Sequence, residues 1–167
     1  MKIALLDRPA CEACADQLAA LLLDALASGP ALGFWPRLDI DGAHRYWRDV
    51  GRSVDAGTRL LVTALDGDRL VGAAQLALCR VPDPGCAEVR SMFVASAMRR
   101  RGIGGVLVRA LEAEAMAHGR DRVFLDAVAG SGIEALYRDL GYAPDHGAPP
   151  LGGCTRYRKL LLVPEAA

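Results

Sequence analysis

The residues best suited to chemistry in this sequence lie in the stretch MRRRGIGGVL, Met98–Leu107, which sets three arginines against three glycines. Glycine lacks a Cβ and lets the backbone approach a ligand closely, while arginine forms charge-assisted hydrogen bonds with phosphate oxygens. The apolar residues that follow predict a helix, and free N–H groups at a helix start favour an anion. The stretch therefore predicts an anion site, for which a pyrophosphate is the best occupant.

Other interpretations of this stretch fit less well. A dinucleotide fingerprint, G-x-G-x-x-G, would need a glycine at Leu107, and a P-loop would need a lysine that the stretch lacks. Nucleic-acid binding is disfavoured because the 20 basic residues of the chain balance 20 acidic ones. A glycine-rich helix start with solvated arginines is the alternative without a ligand.

Acidic residues inside two strand-like segments are the second chemical feature. Glu88 lies in CAEVRSMFV and Asp126 lies in VFLDAV. A carboxylate in a buried strand is costly unless it is paired or takes part in chemistry. If the two strands are neighbours, both carboxylates face one cleft and are candidates for a general base. The alternative is that each carboxylate lies on a solvated face or pairs with an arginine.

The cysteines do not form a metal or redox set. Cys11 and Cys14 have the C-x2-C spacing of a zinc or redox pair, but Cys79, Cys86 and Cys154 stand apart and no second pair exists. On a helix the first two share a face and act as small hydrophobic residues. We therefore expect no metal.

The segments that position these residues alternate between strand-like and helical patterns. Helical periodicity runs over Pro9–Ala27, Asp41–Val54 and Ile103–His118, and an Asp-Gly pair predicts a hairpin between two strands. The remaining elements are the strands KIALL, CAEVRSMFV, DRVFLDAV and CTRYRKLLL and the short helix GIEALYRDLGY. The order β-α-α-β-β-β-α-β-α-β predicts a single α/β (α+β) domain over 1–167. Its sheet is mixed, mostly antiparallel and flanked by helices, unlike a doubly wound Rossmann fold.

Three motifs resemble the GCN5-related N-acetyltransferase (GNAT) family. RRRGIG, Arg99–Gly104, matches the acetyl-coenzyme A signature R/Q-x-x-G-x-G/A. EVRSMFV resembles the family's fourth strand, and ALYRDLGY resembles its late helix, where a tyrosine faces the thioester. The resemblance covers most of the chain from about Leu60 onward. GPALGFWPRLD extends it to a toxin-resistance member that inactivates an amino-acid-like toxin, although the segment 143–155 is shorter here.

The resemblance implies roles for individual residues. Tyr137 is expected to be the general acid that protonates the coenzyme A thiolate, with packing of a helix onto the sheet as the alternative. Glu88 and Asp126 match acidic positions of the toxin-resistance member, where they accept the ammonium proton. A family asparagine that contacts pantetheine is replaced by Gly130, and the neighbouring Ser131 is expected to substitute for it.

Two further sets of contact residues are implied. The fourth strand is expected to bind the substrate carbonyl through its backbone N–H groups, and the early helices with their loop are expected to form the acceptor wall or a lid over the core. The residues expected to contact acetyl-CoA are Met92, Phe93, Val94, Arg99, Arg100, Arg101, Gly102, Ile103, Gly104, Gly105 and Ser131. Those expected to contact the acceptor are Phe34, Trp35, Asp39 and Trp47.

The implied activity is transfer of the acetyl group of acetyl-CoA to a primary amine of a small molecule, such as an antibiotic or toxin, by direct attack. The expected partner is that small amine, without nucleic acid or membrane, and the N-terminus has no signal-peptide pattern. We expect a cytoplasmic monomer or homodimer. The alternative is a non-catalytic acyl-CoA-binding regulatory module.

Overall fold

A seven-stranded mixed sheet carries helices on both faces in the computed structural model of the chain. The structure describes residues 1–29, 37–79, 83–147 and 152–161. Phe34 and Trp35, predicted to contact the acceptor, lie outside the described residues. In chain order the elements are β1 (Lys2–Leu6), α1 (Arg8–Ala13), α2 (Ala15–Ser28), α3 (Ile40–Asp55), β2 (Arg59–Asp66), β3 (Arg69–Leu78), β4 (Cys86–Val94), a 3₁₀ turn (Ser96–Met98), α4 (Ile103–Ala117), β5 (Arg122–Val128), α5 (Ile133–Asp139), β6 (Ala143–Pro144) and β7 (Cys154–Leu160).

The sheet confirms the predicted fold class. Its strand order is β1-β2-β3-β4-β5-β7-β6, and every neighbouring pair is antiparallel except β4 and β5. The predicted hairpin joins β2 to β3, and Gly67 at its tip has a φ of 59°, which glycine adopts at little cost. The two-residue strand β6 was not predicted, because two residues carry no alternating pattern.

The prediction of one continuous helix over Pro9–Ala27 was wrong at Cys14. This residue has φ −107° and ψ 19°, and it ends α1 and precedes α2. The apolar periodicity continues across the break because Cys11 of α1 and Leu18 of α2 pack into the same core. Burial raises the pKa of the Cys11 thiol to about 11, so this cysteine is a neutral core residue at ordinary pH.

Alternating strand residues pack into two separate hydrophobic cores, one on each face of the sheet. On one face, α4 and α5 pack against side chains such as Val62, Val89 and Leu125. On the other face, the helices α1 to α3 pack against Leu61 and Phe93 together with other strand residues. Since successive strand side chains point to opposite faces, one sheet supports both helical layers. None of the described helices is long and apolar enough to span a bilayer.

The parallel strands β4 and β5 pair at one end and then separate. Their register pairs are Cys86–Arg122, Ala87–Val123 and Glu88–Phe124. β4 continues to Val94 and β5 continues to Val128, with no register pair between these parts in the described structure. We call the opening between residues 89–94 and 125–128 the β4–β5 cleft. Backbone groups that border it are available to a ligand.

An irregularity in β4 lies at the start of this cleft. Ala74 of β3 pairs with Met92, whereas Leu76 pairs with Val89, so β4 has one additional residue between these pairs. Such a β-bulge bends the strand that carries it and increases the local twist. The bulge therefore contributes to the separation of β4 from β5.

Candidate active site

The start of α4 lies beside the β4–β5 cleft. An added Cβ at Gly104 would lie 3.4 Å from Met92 Cε of β4 and 3.4 Å from Leu136 Cδ2 of α5. The first turn of α4 therefore packs against both β4 and α5, and a glycine permits this approach. This places the predicted anion site at the edge of the cleft.

The N-terminus of α4 offers uncapped backbone N–H groups. Gly102 precedes the helix with a φ of 78°, no side chain caps the helix start, and the first turn holds no acidic residue. The first intrahelical bond to Gly102 O comes from Val106 N, at 3.2 Å. The amides of Ile103, Gly104 and Gly105 thus have no intrahelical acceptor, which is the arrangement that binds anions at helix starts.

The three arginines before this helix have different surroundings. Arg99 donates from Nη1 to Ser28 O (3.1 Å) and from Nη2 to Ser28 Oγ (2.8 Å) at the end of α2. Arg100 and Arg101 are exposed, and Arg100 has a positive φ of 62°. The predicted set is therefore divided into one arginine occupied by protein acceptors and two that face solvent.

Ser131 lies in the turn between β5 and α5. Its Oγ is buried and has no hydrogen-bond partner among the described residues. The turn is held by Glu134, whose carboxylate accepts from Gly130 N (2.9 Å) and Gly132 N (3.2 Å). An orphan buried hydroxyl is unfavourable unless a ligand satisfies it, so Ser131 fits the predicted contact with pantetheine.

Residues Met92–Val94 border the cleft with their backbone. The Phe93 side chain is only 3% exposed and packs edge-on against Trp47, with the ring centroids 6.0 Å apart. Met92 and Val94 pack against the core on the α4 side. Since these three side chains pack into the cores on the two faces of the sheet, the backbone is the part of this segment that can contact a ligand.

Tyr137 of α5 is buried next to the same opening. Its ring lies 6.1 Å from that of Tyr142 and 6.2 Å from that of Tyr157, so it packs α5 onto the sheet. Burial raises the pKa of Tyr137 to about 12, and the negative charge of Asp126 adds to this shift. The phenol keeps its proton across the physiological range, as a proton donor must.

Glu88 and Asp126 are brought together by an arginine that the sequence analysis missed. Arg156 Nη1 lies 3.6 Å from Glu88 Oε1 and 3.4 Å from Asp126 Oδ2. The guanidinium carbon of Arg156 also lies 4.9 Å from the centre of the Phe124 ring. Both carboxylates therefore face one side of the sheet at the β4–β5 cleft, and both are paired with an arginine.

The strand register explains this juxtaposition. Glu88 pairs with Phe124 across β4 and β5, and Asp126 pairs directly with Arg156 across β5 and β7. Side chains at paired positions share a face. The available signal was the alternation in CTRYRKL, where Arg156 and Arg158 flank the buried Tyr157.

A polar chain connects α3 to the sheet beside the carboxylates. Gln75 is completely buried, accepts from Arg59 Nη1 at 2.7 Å and donates from Nε2 to the Tyr46 hydroxyl at 2.7 Å. The Tyr46 hydroxyl in turn lies 3.4 Å from Ser91 Oγ in the bulged part of β4. These contacts hold α3 against the strand that borders the cleft, and the sequence analysis did not identify them.

Asp39, predicted to contact the acceptor, has a structural role at the start of α3. Its carboxylate accepts from Gly42 N at 2.7 Å and so caps the helix. Trp47 is 3% exposed and belongs to the core between α1–α3 and the sheet. Neither side chain is presented to the cleft as an open surface.

The sequence matches the Acetyltransferase (GNAT) family over residues 21–142. The chain belongs to this family. The uncapped helix start, the diverging strands and the buried Tyr137 are therefore parts of a GNAT acetyltransferase, and the resemblance of the three motifs is confirmed. The chain is an acyl-CoA-dependent N-acetyltransferase. The finer likeness to a toxin-resistance member stays a prediction.

Solved structures share the GNAT fold at low sequence identity. The ribosomal-protein-alanine N-acetyltransferase from Brucella melitensis superposes with a TM-score of 0.75 at 22% identity, covering 96% of this chain and 100% of that one. An aminoglycoside 6'-N-acetyltransferase complexed with coenzyme A gives 0.74 at 22% identity, covering 97% and 98%. The PaiA N-acetyltransferase from Thermoplasma acidophilum, in complex with coenzyme A, gives 0.72 at 15% identity, covering 96% and 99%. The last two structures hold coenzyme A.

Proposed function

We propose that this GNAT enzyme transfers the acetyl group of acetyl-CoA to the primary amine of a small molecule by direct attack. The observation that carries the proposal is the grouping of uncapped amides, a buried phenol and paired carboxylates around the β4–β5 cleft. The amides of Ile103, Gly104 and Gly105 suit a pyrophosphate, and the Ser131 hydroxyl suits a pantetheine amide. When bound, acetyl-CoA supplies the activated thioester.

Different residues around the cleft stabilise the carbonyl oxygen and protonate the leaving thiolate. Within the segment Met92–Val94, the backbone N–H groups that point away from β3 stabilise charge on the substrate carbonyl oxygen, since this edge of β4 has no register pair with β5 in the described structure. Tyr137 donates its proton to the departing thiolate. The pKa of Tyr137, raised to about 12 by burial, keeps the proton in place until that step.

Glu88 and Asp126 receive the proton that the acceptor ammonium must lose before it attacks. Their side chains are 14% and 29% exposed, so they are reachable yet partly shielded from water. Arg156 between them fixes the direction of both carboxylates. A charge-assisted contact of this kind orients a base without removing it from the cleft.

The charges on this face favour an acceptor that carries both an amine and a carboxylate. Three acids face three arginines: Arg90 Nη2 lies 3.1 Å from Glu88, Arg156 lies between Glu88 and Asp126, and Arg158 Nη1 lies 3.9 Å from Asp145. A polycation would find each carboxylate of this set already matched by a guanidinium group, so the set offers it no net attraction. An amino-acid-like molecule, including a toxin of that type, matches both signs.

The test is release of the coenzyme A thiol with a panel of amines. The panel pairs L-amino acids with their amides and adds spermidine and kanamycin as polycations. We expect release with amine acceptors and none without an acceptor. Binding of coenzyme A without release in the presence of any amine would instead support the regulatory module. A cytoplasmic monomer or homodimer remains the expected form.

A further inference from the structure

The segment that carries the predicted pyrophosphate site is fastened to the last turn of α2. The Asp24 carboxylate accepts from Ser96 N and from Ser96 Oγ, both at 2.7 Å. Arg99 donates to the backbone oxygen and the hydroxyl of Ser28, and Ser28 Oγ also lies 2.6 Å from Asp24 O. We call Asp24, Ser28, Ser96 and Arg99 the α2 clamp.

The clamp joins parts of the chain that are far apart in sequence. Asp24 and Ser96 are separated by 72 positions, and Arg99 and Ser28 by 71. Hydrogen bonds from the Ser96 hydroxyl and N–H lower the pKa of Asp24, so the carboxylate is ionised when it holds the turn. Arg99 also satisfies a backbone oxygen at the C-terminus of α2, where a cation is favourable.

The clamp lies immediately before the amides that would hold the pyrophosphate. Only Arg100 and Arg101 separate Arg99 from Gly102, and Arg100 is held at a positive φ of 62°. Such a conformation persists when the surrounding structure constrains it. The contacts at Ser96 and Arg99 supply that constraint on one side, and the first turn of α4 supplies it on the other.

From this geometry we infer that Asp24 and Ser28 are positioning residues for the pyrophosphate site, and that Arg99 acts through them and not as a phosphate ligand. The inference rests on the proposed function. The clamp orders the segment 96–102 before coenzyme A binds. The free energy of coenzyme A binding is therefore not reduced by the entropy lost in ordering that segment. Direct phosphate contacts from side chains are left to Arg100 and Arg101.

The test measures binding of coenzyme A and of pantetheine, which lacks the pyrophosphate, by calorimetry. We expect Asp24→Ala to weaken coenzyme A binding about tenfold, because two charge-assisted bonds are lost, while pantetheine binding stays the same. Asp16→Ala is the matched control, since Asp16 lies on the same helix with a side chain 99% exposed. At saturating acetyl-CoA, Asp24→Ala should retain the wild-type kcat.

A double-mutant comparison assigns the role of Arg99. If Arg99 acts through the clamp, the loss of coenzyme A affinity in Arg99→Ala should shrink in a Ser28→Ala, Asp24→Ala background, where its bond to the backbone oxygen of Ser28 is the part of its clamp contact that is left. Additive losses would show that Arg99 contacts phosphate directly and would overturn its assignment.

Unchanged coenzyme A binding in Asp24→Ala, with wild-type protein binding normally, would overturn the clamp alone. Wild-type protein that binds no coenzyme A would overturn the proposed function itself. Thermal melts check that each variant is folded, and Ser28→Ala gives a milder second disruption.

Discussion

Arg156 lies directly opposite Asp126 in the β5–β7 ladder, and its Nη1 is 3.4 Å from Asp126 Oδ2. The same nitrogen reaches Glu88 Oε1 at 3.6 Å. One cation therefore joins the two carboxylates that were predicted as general bases. The hydrogen bonds and ion pairs that Arg156 makes with these two carboxylates all use Nη1.

The first prediction concerns the proton acceptors. The double variant Glu88→Gln, Asp126→Asn should lower kcat by about 10²–10⁴-fold, because no carboxylate remains to take the ammonium proton. Steady-state kinetics at saturating acetyl-CoA measures the loss, and calorimetry should show unchanged acetyl-CoA binding. Asp49→Asn, an exposed acid of α3, is the control. Wild-type kcat in the double variant would exclude a general-base role for both residues.

The second prediction concerns acceptor choice. Arg156→Met should raise the ratio of KM for each amino-acid acceptor to KM for its amide by about 10–100-fold, since only the acid loses a charge-assisted contact. The comparison of each amino acid with its amide removes effects common to both. Arg52→Ala, which removes an exposed arginine of α3, should change neither value. Equal KM changes for acids and amides would contradict carboxylate recognition.

The third prediction concerns Tyr137. Tyr137→Phe should lower kcat by about 10²-fold or more with little change in acetyl-CoA binding, because the ring packing is kept and only the proton donor is lost. Bulk solvent cannot readily replace a donor that is 4% exposed. Wild-type kcat with a good acceptor would assign Tyr137 to packing alone.

Tyr137 also has a consequence for stability in alkali. Its pKa is about 12 in the folded chain against an ordinary value of 10.0. Below pH 10 the phenol is protonated in both states, and its whole contribution to the free energy of unfolding is present. Between pH 10 and 12 the unfolded chain loses this proton first, and the free energy of unfolding falls. Denaturant titrations should show wild-type protein losing about 2–3 kcal/mol more than Tyr137→Phe over this range. Parallel losses in both proteins would contradict the shift.

The fourth prediction concerns the contact of β3 with α4. A Cβ at Gly72 would lie 3.0 Å from Leu107 Cδ1 and 3.1 Å from Ile103 Cγ2. Gly72→Ala should therefore cost about 1–3 kcal/mol through overpacking, measured by denaturant unfolding. Gly51, inside α3, is the opposite case. A Cβ added there would lie 3.7 Å from Cys11 Cβ, an ordinary van der Waals distance. Gly51→Ala should gain about 0.5–1 kcal/mol from helix propensity.

Local patterns predicted the elements that position the site. The Asp-Gly turn places β2 beside β3, and the change from arginine and glycine to apolar periodicity starts α4 at Ile103, as observed. Glu88 and Asp126 were expected to face one cleft if their strands were neighbours, and those strands are neighbours. These features depend on the backbone preferences and the side-chain periodicity of a few adjacent residues, and both can be seen in the sequence.

The tertiary structure decided which side chains meet. Arg156 reaches Asp126 across 30 positions and Arg99 reaches Ser28 across 71, and no periodicity encodes such pairs. The β5–β7 register and the packing of α2 against the loop before α4 determine them. The sequence alone thus determined the type of site and the elements that bear it, because short-range preferences suffice for both. Only the fold showed that one arginine joins the two carboxylates and that another is bound to α2, because those contacts depend on strand pairing and helix packing over the whole chain.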